Sequence, residues 1–247
     1  MKETRYFYVP DASLQTQLPE EEAQHALRVL RMTAGDQVVL IDGEGTFHDA
    51  VITETTKRQC QYRIEASRRW QKPWTAHLHL AMAPTKNIDR TEWLAEKATE
   101  IGIDQISLLR CQFSERTVVK TERLDKILIS AMKQSRKALK PRLDEMTDFR
   151  RFIETVASLN LYKPLTGRFI CHCYEEADLG PKPELRHVLR TGEDTVVLVG
   201  PEGDFSTEEV RLAMKAGFQP VSLGQARLRT ETAALVAVHL MNLQNTL

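Results

Sequence analysis

The sequence predicts an α/β chain in two parts, and three observations carry that expectation. Residues 37–66 alternate apolar and polar at period two, the pattern of half-buried strands. From Pro73 onward, short apolar runs alternate with stretches of helical periodicity, as βαβ units around a parallel sheet require. Between them "RRWQKPW" breaks both patterns, so the boundary is placed there, with a β-rich module over 1–72 and an α/β domain over 73–247.

In the first part, "PEEEAQHALRVLRM" opens with Pro19 and three acids, as helix starts do. Its Ala23, Ala26, Leu27 and Leu30 share one face, which leaves Arg28 and Arg31 outside. "QVVLIDGEGTFHDAVITE" reads as two strands joined across Gly43-Glu44-Gly45, and "QCQYRIEA" puts Cys60, Tyr62, Ile64 and Ala66 on one strand face. In the second part, "AHLHLAMA" precedes a helix over about 88–101, and "QISLLR" precedes one over about 123–139. "RFICHCY" and "DTVVLVG" are further buried-strand runs.

The chain has 247 residues, 42% hydrophobic and 28% charged, enough for an ordinary buried core. No apolar run is long enough to span a membrane and the N-terminus lacks a secretory pattern, so a cytoplasmic location without membrane attachment is expected. Cys60, Cys111, Cys171 and Cys173 are scattered; the two thiols of "CHC" would point to opposite strand faces, and no metal site is expected. Net charge is zero, yet basic residues cluster twice. Lys57, Arg58, Arg63, Arg68, Arg69 and Lys72 face only Glu65; Lys120, Arg123, Lys126, Lys133, Arg136, Lys137, Lys140 and Arg142 face only Glu122 and Asp125. Each cluster is either a solvated face or a phosphate-tracking surface.

Ligands of open parallel sheets collect beyond the carboxyl ends of strands, where "LVGPEGDFSTEEV" (198–210) lies. Gly200 and Gly203 permit a tight turn, Pro201 fixes one dihedral, and Ser206 with Glu209 spells a capping box. A second loop, "VSLGQARLRTETAALVAVHLMNL" (221–243), has a strand ending at Leu223-Gly224 and Thr230 placed to cap an apolar final helix. Arg229 and Glu231 at that helix mouth either pair with each other or hold a small polar ligand. No G-x-x-x-x-G-K-[ST] loop, dinucleotide fingerprint or G-x-S-x-G elbow is present, which disfavours P-loop, kinase-like and esterase readings.

"GPEGDFSTEEV … SLGQARLRTETAA" closely resembles the bacterial 16S ribosomal RNA uridine-N3 methyltransferases of the knotted SPOUT superfamily. "HALRVLRMTAGDQVVLIDGEG", "KATEIGIDQI", "SER" (114–116) and "KQSRK" (133–137) extend the resemblance over nearly the whole chain. It implies a small PUA-like β-barrel RNA-binding domain, then an α/β methyltransferase domain with a deep C-terminal trefoil knot. It also implies a homodimer through the knotted domain, S-adenosyl-L-methionine as cofactor, and 16S RNA of the assembled 30S subunit as substrate. Asp204 stands where the family has a second Gly, Ala226 and Arg227 where it has Arg and an apolar residue, and Lys133 and Arg136 where Glu and Gly are common.

On this reading the backbone of Leu198, Val199, Gly200, Pro201, Glu202 and Gly203, of Ser222, Leu223 and Gly224, and of Leu228, Arg229 and Thr230 forms the cofactor pocket. Uridine N3–H is a weak acid, so the reaction needs a proton acceptor, with Glu202, Glu231 and His172 as candidates, and a cation for the resulting charge, Arg229 or Arg227. Arg28, Arg31, Arg68, Arg69, Lys133, Arg136 and Arg227 are the candidate RNA contacts. The rival from another class is a non-catalytic RNA-binding or ribosome-assembly factor, which would not need the methyl donor.

Overall fold

A computed structural model describes residues 4–158, 167–175 and 182–246. The chain divides into two compact units, 1–72 with 129–140, and 73–128 with 141–247.

The first unit holds a four-stranded sheet in the order β1 (Tyr6–Tyr8), β2 (Gln37–Ile41), β3 (Thr46–Thr55), β4 (Cys60–Arg69). β1 runs parallel to β2, and β2–β3–β4 are antiparallel, with residues 16–18 pairing beyond β4 through Tyr62 N–H to Thr16 and Leu18 N–H to Cys60. Helix α1 (Glu20–Gln24) widens into a π turn over His25–Val29, and Ala23 and Ala26 are buried while Arg28 and Arg31 are exposed. Phe7, Ala23, Ala26, Val38, Leu40, Ile52, Cys60 and Tyr62 make one core. The period-two face of β4 ends early. Bulges shift the register at Asp49/Ala50 and Ile52/Glu54, so Cys60 and Tyr62 are buried whereas Ala66 is exposed.

The other face of β2 is also buried, which alternation alone does not announce. Val39, Ile41 and Phe47 are covered by Met132 and Ala138 from the 129–140 segment. Gly45 N–H donates to Ala138 and Lys140 N–H to Gly43, so this strap lies along the β2–β3 turn. A division at residue 72 therefore omits a segment that packs with the first unit. The strap also explains where its helix stops. Helix α3 (Thr121–Gln134) ends five residues before the expected Leu139, because Lys137 N–H returns to Met132 and Arg136 N–H to Lys133, with Arg136 left-handed at φ 53°. An arginine held there costs about 1–2 kcal/mol relative to a right-handed conformation.

The second unit is a six-stranded, all-parallel sheet in the order β10-β8-β9-β5-β6-β7. Its strands are β5 (Leu78–Met82), β6 (Gln105–Arg110), β7 (Arg142–Asp148), β8 (Gly167–Cys171), β9 (Thr195–Val199) and β10 (Gln219–Val221). Helices α4 (Phe149–Ser158) and α6 (Thr207–Lys215) pack Phe149, Phe152, Ile153, Val210 and Ala213 against Ala81, Leu109, Ile170 and Leu198. Helices α2 (Ile88–Ile101) and α7 (Thr230–Asn245) pack on each other, and α7 lies on β5 and β9; α5 (Leu185–Val188) packs on α7. The edge strand β7 reads "RLDEMTD", half-exposed along its length, which is why it lacks an apolar run. Asp144 anchors it. Its carboxylate accepts from Ser107 Oγ (2.6 Å) and Arg142 Nε (2.7 Å), and buried His79 lies 2.7 Å from Ser107 Oγ.

Candidate active site

The strand order reverses between β5 and β9, so the loops at their carboxyl ends border a crevice. Leu198 and Val199 end β9 in the core, and Gly200 to Ser206 follow. The capping box forms: Glu209 N–H donates to Ser206 Oγ (3.2 Å), and Ser206 N–H to Glu209 Oε2 (2.8 Å). The remaining Glu209 oxygen accepts Gln112 N–H at 2.9 Å and ties in the loop after β6.

Glu202 is a tie as well. Its Oε1 accepts Lys86 N–H at 2.9 Å, joining the loop after β9 to the loop after β5. Arg116 closes the same junction by donating to the carbonyls of Thr85 (3.1 Å) and Lys86 (2.6 Å). A Cβ on Gly203 would sit 3.0 Å from Phe113 Cβ, so a larger residue would push the loop after β6 away by a few tenths of an ångström. Phe113 keeps 45% of its surface exposed beside that contact.

His172 follows β8, between the ends of β9 and β10: Cys171 is paired with Val199 on one side and Val221 on the other. His172 is only 7% exposed, and both ring nitrogens are buried without a hydrogen-bond partner among the described residues. Burial, aided by the Lys182 charge and opposed by Asp204, holds its pKa below the usual histidine value. It is therefore a neutral base at pH 7. Lys182 donates to the carbonyls of His172 (3.4 Å) and Tyr174, and the Tyr174 hydroxyl donates to Phe205 carbonyl at 2.7 Å.

β10 stops at Val221, two residues before the expected Leu223-Gly224, because Ser222 pairs elsewhere: its N–H donates to Pro183 and its carbonyl accepts from Leu185. Gly224 is at φ 115°, and a Cβ added there would meet nothing within 4 Å, so bare backbone borders open space. Leu228 is half-buried. Arg229, not Thr230, is the residue before the helix, and it makes no side-chain cap; Thr230 is the first helical residue and is buried. Glu231 is 8% exposed, with Oε1 3.7 Å from Arg90 and Oε2 buried without a partner among the described residues. Arg90, rather than Arg229, is thus its ion-pair partner.

The remaining basic candidates sit in different settings. Arg227 is exposed; burial and Asp204 raise the Cys173 thiol, against which the charge of Arg227 acts. In the first unit, Lys133 is committed to buried Glu22, whose carboxylate also accepts Tyr8 N–H. Arg69 donates to Glu44 carbonyl at 3.2 Å, Arg68 lies over Phe47 at 4.5 Å, and Arg136 lies over Tyr6 at 5.9 Å. Sequence reasoning missed Lys86, Phe113, Lys182 and Arg90, which carry no motif; "SER" was the one signal for Arg116.

The loops at the carboxyl ends of this all-parallel sheet carry His172, Gly200 to Gly203 and Gly224, and it is beyond that edge that α/β domains of this class bind small ligands. Residues 72–242 match the RNA methyltransferase domain family and residues 18–65 the RNA methyltransferase PUA domain. The chain belongs to this RNA methyltransferase family. It is 42% identical to a probable rRNA-methyltransferase from Porphyromonas gingivalis, over 98% of each chain, with a TM-score of 0.89. It is 27% identical, over 98% of each chain and with a TM-score of 0.80, to a ribosomal RNA small subunit methyltransferase E from Neisseria gonorrhoeae bound to S-adenosyl methionine. A Mycobacterium bovis protein of the same name is 29% identical over 94% of this chain and 88% of its own.

Proposed function

We propose that this chain transfers a methyl group from S-adenosylmethionine to N3 of a uridine in small-subunit (16S) ribosomal RNA. Buried, neutral His172, with no partner on either nitrogen among the described residues, carries the reading, since such a group is tolerated where a ligand completes it. The names of the gonococcal and mycobacterial relatives, and the cofactor held by the former, support the substrate and donor.

The residues present fit that cofactor. Backbone of Leu198–Gly203, Ser222–Gly224 and Leu228–Thr230 would hold it, with open space over Gly224 and an orphaned Glu231 oxygen as the features that suit it. When bound, S-adenosylmethionine supplies an electrophilic methyl group. His172 takes the N3 proton, a task suited to a base that stays neutral at pH 7. Exposed Arg229 and Arg227 stabilise the negative charge left on the ring carbonyls. Glu202 holds two loops together instead.

The deep knot, the homodimer, the assembled 30S subunit as substrate and a cytoplasmic location belong to the same reading. The 183–185 segment laid along Ser222 supports the interwoven chain, and α7, with Leu243 exposed and Leu235, Val236 and Leu240 half-buried, supports the dimer. Among the described residues no helix is long and apolar enough to cross a membrane.

Calorimetry with S-adenosylmethionine, followed by mass spectrometry of nucleosides from small-subunit RNA incubated with both, tests this. The reading expects saturable donor binding and a methylated uridine. A chain that binds RNA but not the donor is instead a non-catalytic assembly factor.

A further inference from the structure

Both basic clusters contribute to one surface of the first unit. Arg68 and Arg69 come from the end of β4, and Arg136 comes from the strap. They meet around aromatic side chains: Tyr6, Tyr8 and Trp70 are each half-buried against the Val39–Ile41–Phe47–Met132–Ala138 core. Tyr6 packs edge-on to Phe47, with centroids 6.2 Å apart, and the two rings each carry a guanidinium, Arg136 at 5.9 Å from Tyr6 and Arg68 at 4.5 Å from Phe47. Asp49, 3.7 Å from Arg68, is the acid within this group. Both Arg68 and Arg136 remain exposed.

We infer that the first unit carries a stacking platform for an unpaired nucleotide of an RNA strand, built from Tyr6, Arg68 and Arg136, with buried Phe47 backing Tyr6 and Arg68. The inference deepens the RNA-directed reading above, on which it rests, by specifying a single strand over a duplex. A surface that only tracked phosphates would need cations and no rings. Here half-buried Tyr6 offers an aromatic ring and exposed Arg136 a planar cation 5.9 Å over it, and both kinds of group stack on bases regardless of sequence, while Arg68 and Arg69 suit the flanking phosphates. Duplex RNA hides its base faces and could use only the cations.

The backbone adds a separate argument. Arg136 occupies the left-handed position that closes α3, where glycine is at ease and an arginine is strained. Strain of this kind persists where the side chain has a use. Replacing Arg136 with glycine should therefore raise stability and lower RNA affinity together, an opposition that a purely structural arginine would not produce.

The test is fluorescence anisotropy with a labelled 12-nucleotide RNA, single-stranded or annealed to its complement, and the full chain. Tyr6→Leu should weaken single-strand binding by about tenfold, from the usual worth of one base–aromatic stack, and change duplex binding less than about twofold. Tyr6→Phe keeps the ring and should bind within about twofold of the unchanged chain. Arg136→Gly should weaken single-strand binding while Tm rises. The proposal is overturned if Tyr6→Leu binds the single strand normally, if it weakens both RNAs equally, if Tyr6→Phe loses as much as Tyr6→Leu, or if Tm and affinity of Arg136→Gly move together. A chain that shows the expected pattern but does not bind S-adenosylmethionine loses the methyl-transfer reading and keeps the platform. Methyl transfer with Tyr6→Leu binding the single strand normally does the reverse.

Discussion

Asp204 Oδ2 accepts the Cys173 N–H at 2.8 Å, so one carboxylate joins the turn after β9 to the segment that carries His172. The other oxygen accepts Asp204's own neighbour, Phe205 N–H, at 2.8 Å. Asp204 itself is left-handed at φ 67°, a conformation aspartate tolerates better than most residues. A glycine there would relax the backbone but free the 173 segment, so the aspartate exchanges some backbone ease for a cross-link between two strand ends.

Asp204→Gly and Asp204→Ala should therefore differ. Alanine loses both hydrogen bonds and keeps the strain, at a cost of about 2–3 kcal/mol; glycine recovers roughly 1 kcal/mol of that. Thermal unfolding should rank the unchanged chain above glycine and glycine above alanine. Both variants should slow methyl transfer at saturating S-adenosylmethionine, because His172 is no longer held. Equal melting temperatures for all three would remove the cross-link argument.

His172 predicts a pH profile. Burial, with the Lys182 charge, depresses its pKa, so the neutral base persists below the ordinary histidine range. The acid limb of methyl transfer under single-turnover conditions should fall below about pH 6.5, the ordinary imidazole value. His172→Asn should lower the rate by about a hundredfold, the usual size of a general-base effect, and abolish that limb. An unchanged profile in the variant would assign the proton to another group.

Much of the second unit was legible because its strands are apolar runs between amphipathic helices, and β5, α2, β6, β8 and β9 fall where periodicity puts them. The strap was not legible. Met132 and Ala138 read as ordinary helix positions, and nothing local says that their partners are Val39 and Ile41, about ninety residues earlier. Polarity hid β7, whose residues pair through backbone while Asp144 is satisfied from Ser107 and Arg142. In the site, glycines and caps are local signals and could be read. Whether Glu202, Glu231 or His172 stays unpartnered depends on groups from other elements, the Lys86 N–H and the Arg90 guanidinium among them, and spacing is silent on that.

Glu202 separates a tie from a base. Its hydrogen bond comes from a backbone N–H, which an amide oxygen accepts nearly as well as a carboxylate. Glu202→Gln should keep methyl transfer within about threefold, since only the charge-assisted share of one hydrogen bond is lost. Glu202→Ala leaves Lys86 N–H unpaired and should raise the donor's Kd by roughly tenfold. Initial-rate measurements on the two variants decide the matter, because a proton acceptor would fail in both.

His79 makes the second unit acid-sensitive from within. It is buried, and that burial, outweighing the attraction of Asp144, lowers its pKa from the ordinary 6.5 to about 3. Between those values the unfolded chain binds a proton that the folded chain refuses, so stability is complete above pH 6.5 and declines as pH falls toward 3. The slope contributed is at most one proton, about 1.4 kcal/mol per pH unit. Asp144 adds to the same trend at lower pH. Burial pushes its carboxyl up, but hydrogen bonds from Ser107 and Gln105, with the Arg142 charge, hold it below the usual value, and that stabilisation disappears on protonation. His79→Gln keeps a side chain able to donate to Ser107 without a titrating group. Urea unfolding from pH 7.5 to 5 should show the unchanged chain losing stability steeply below 6.5, and the variant, although less stable at pH 7.5, losing distinctly less. Parallel curves for the two would place the acid sensitivity elsewhere.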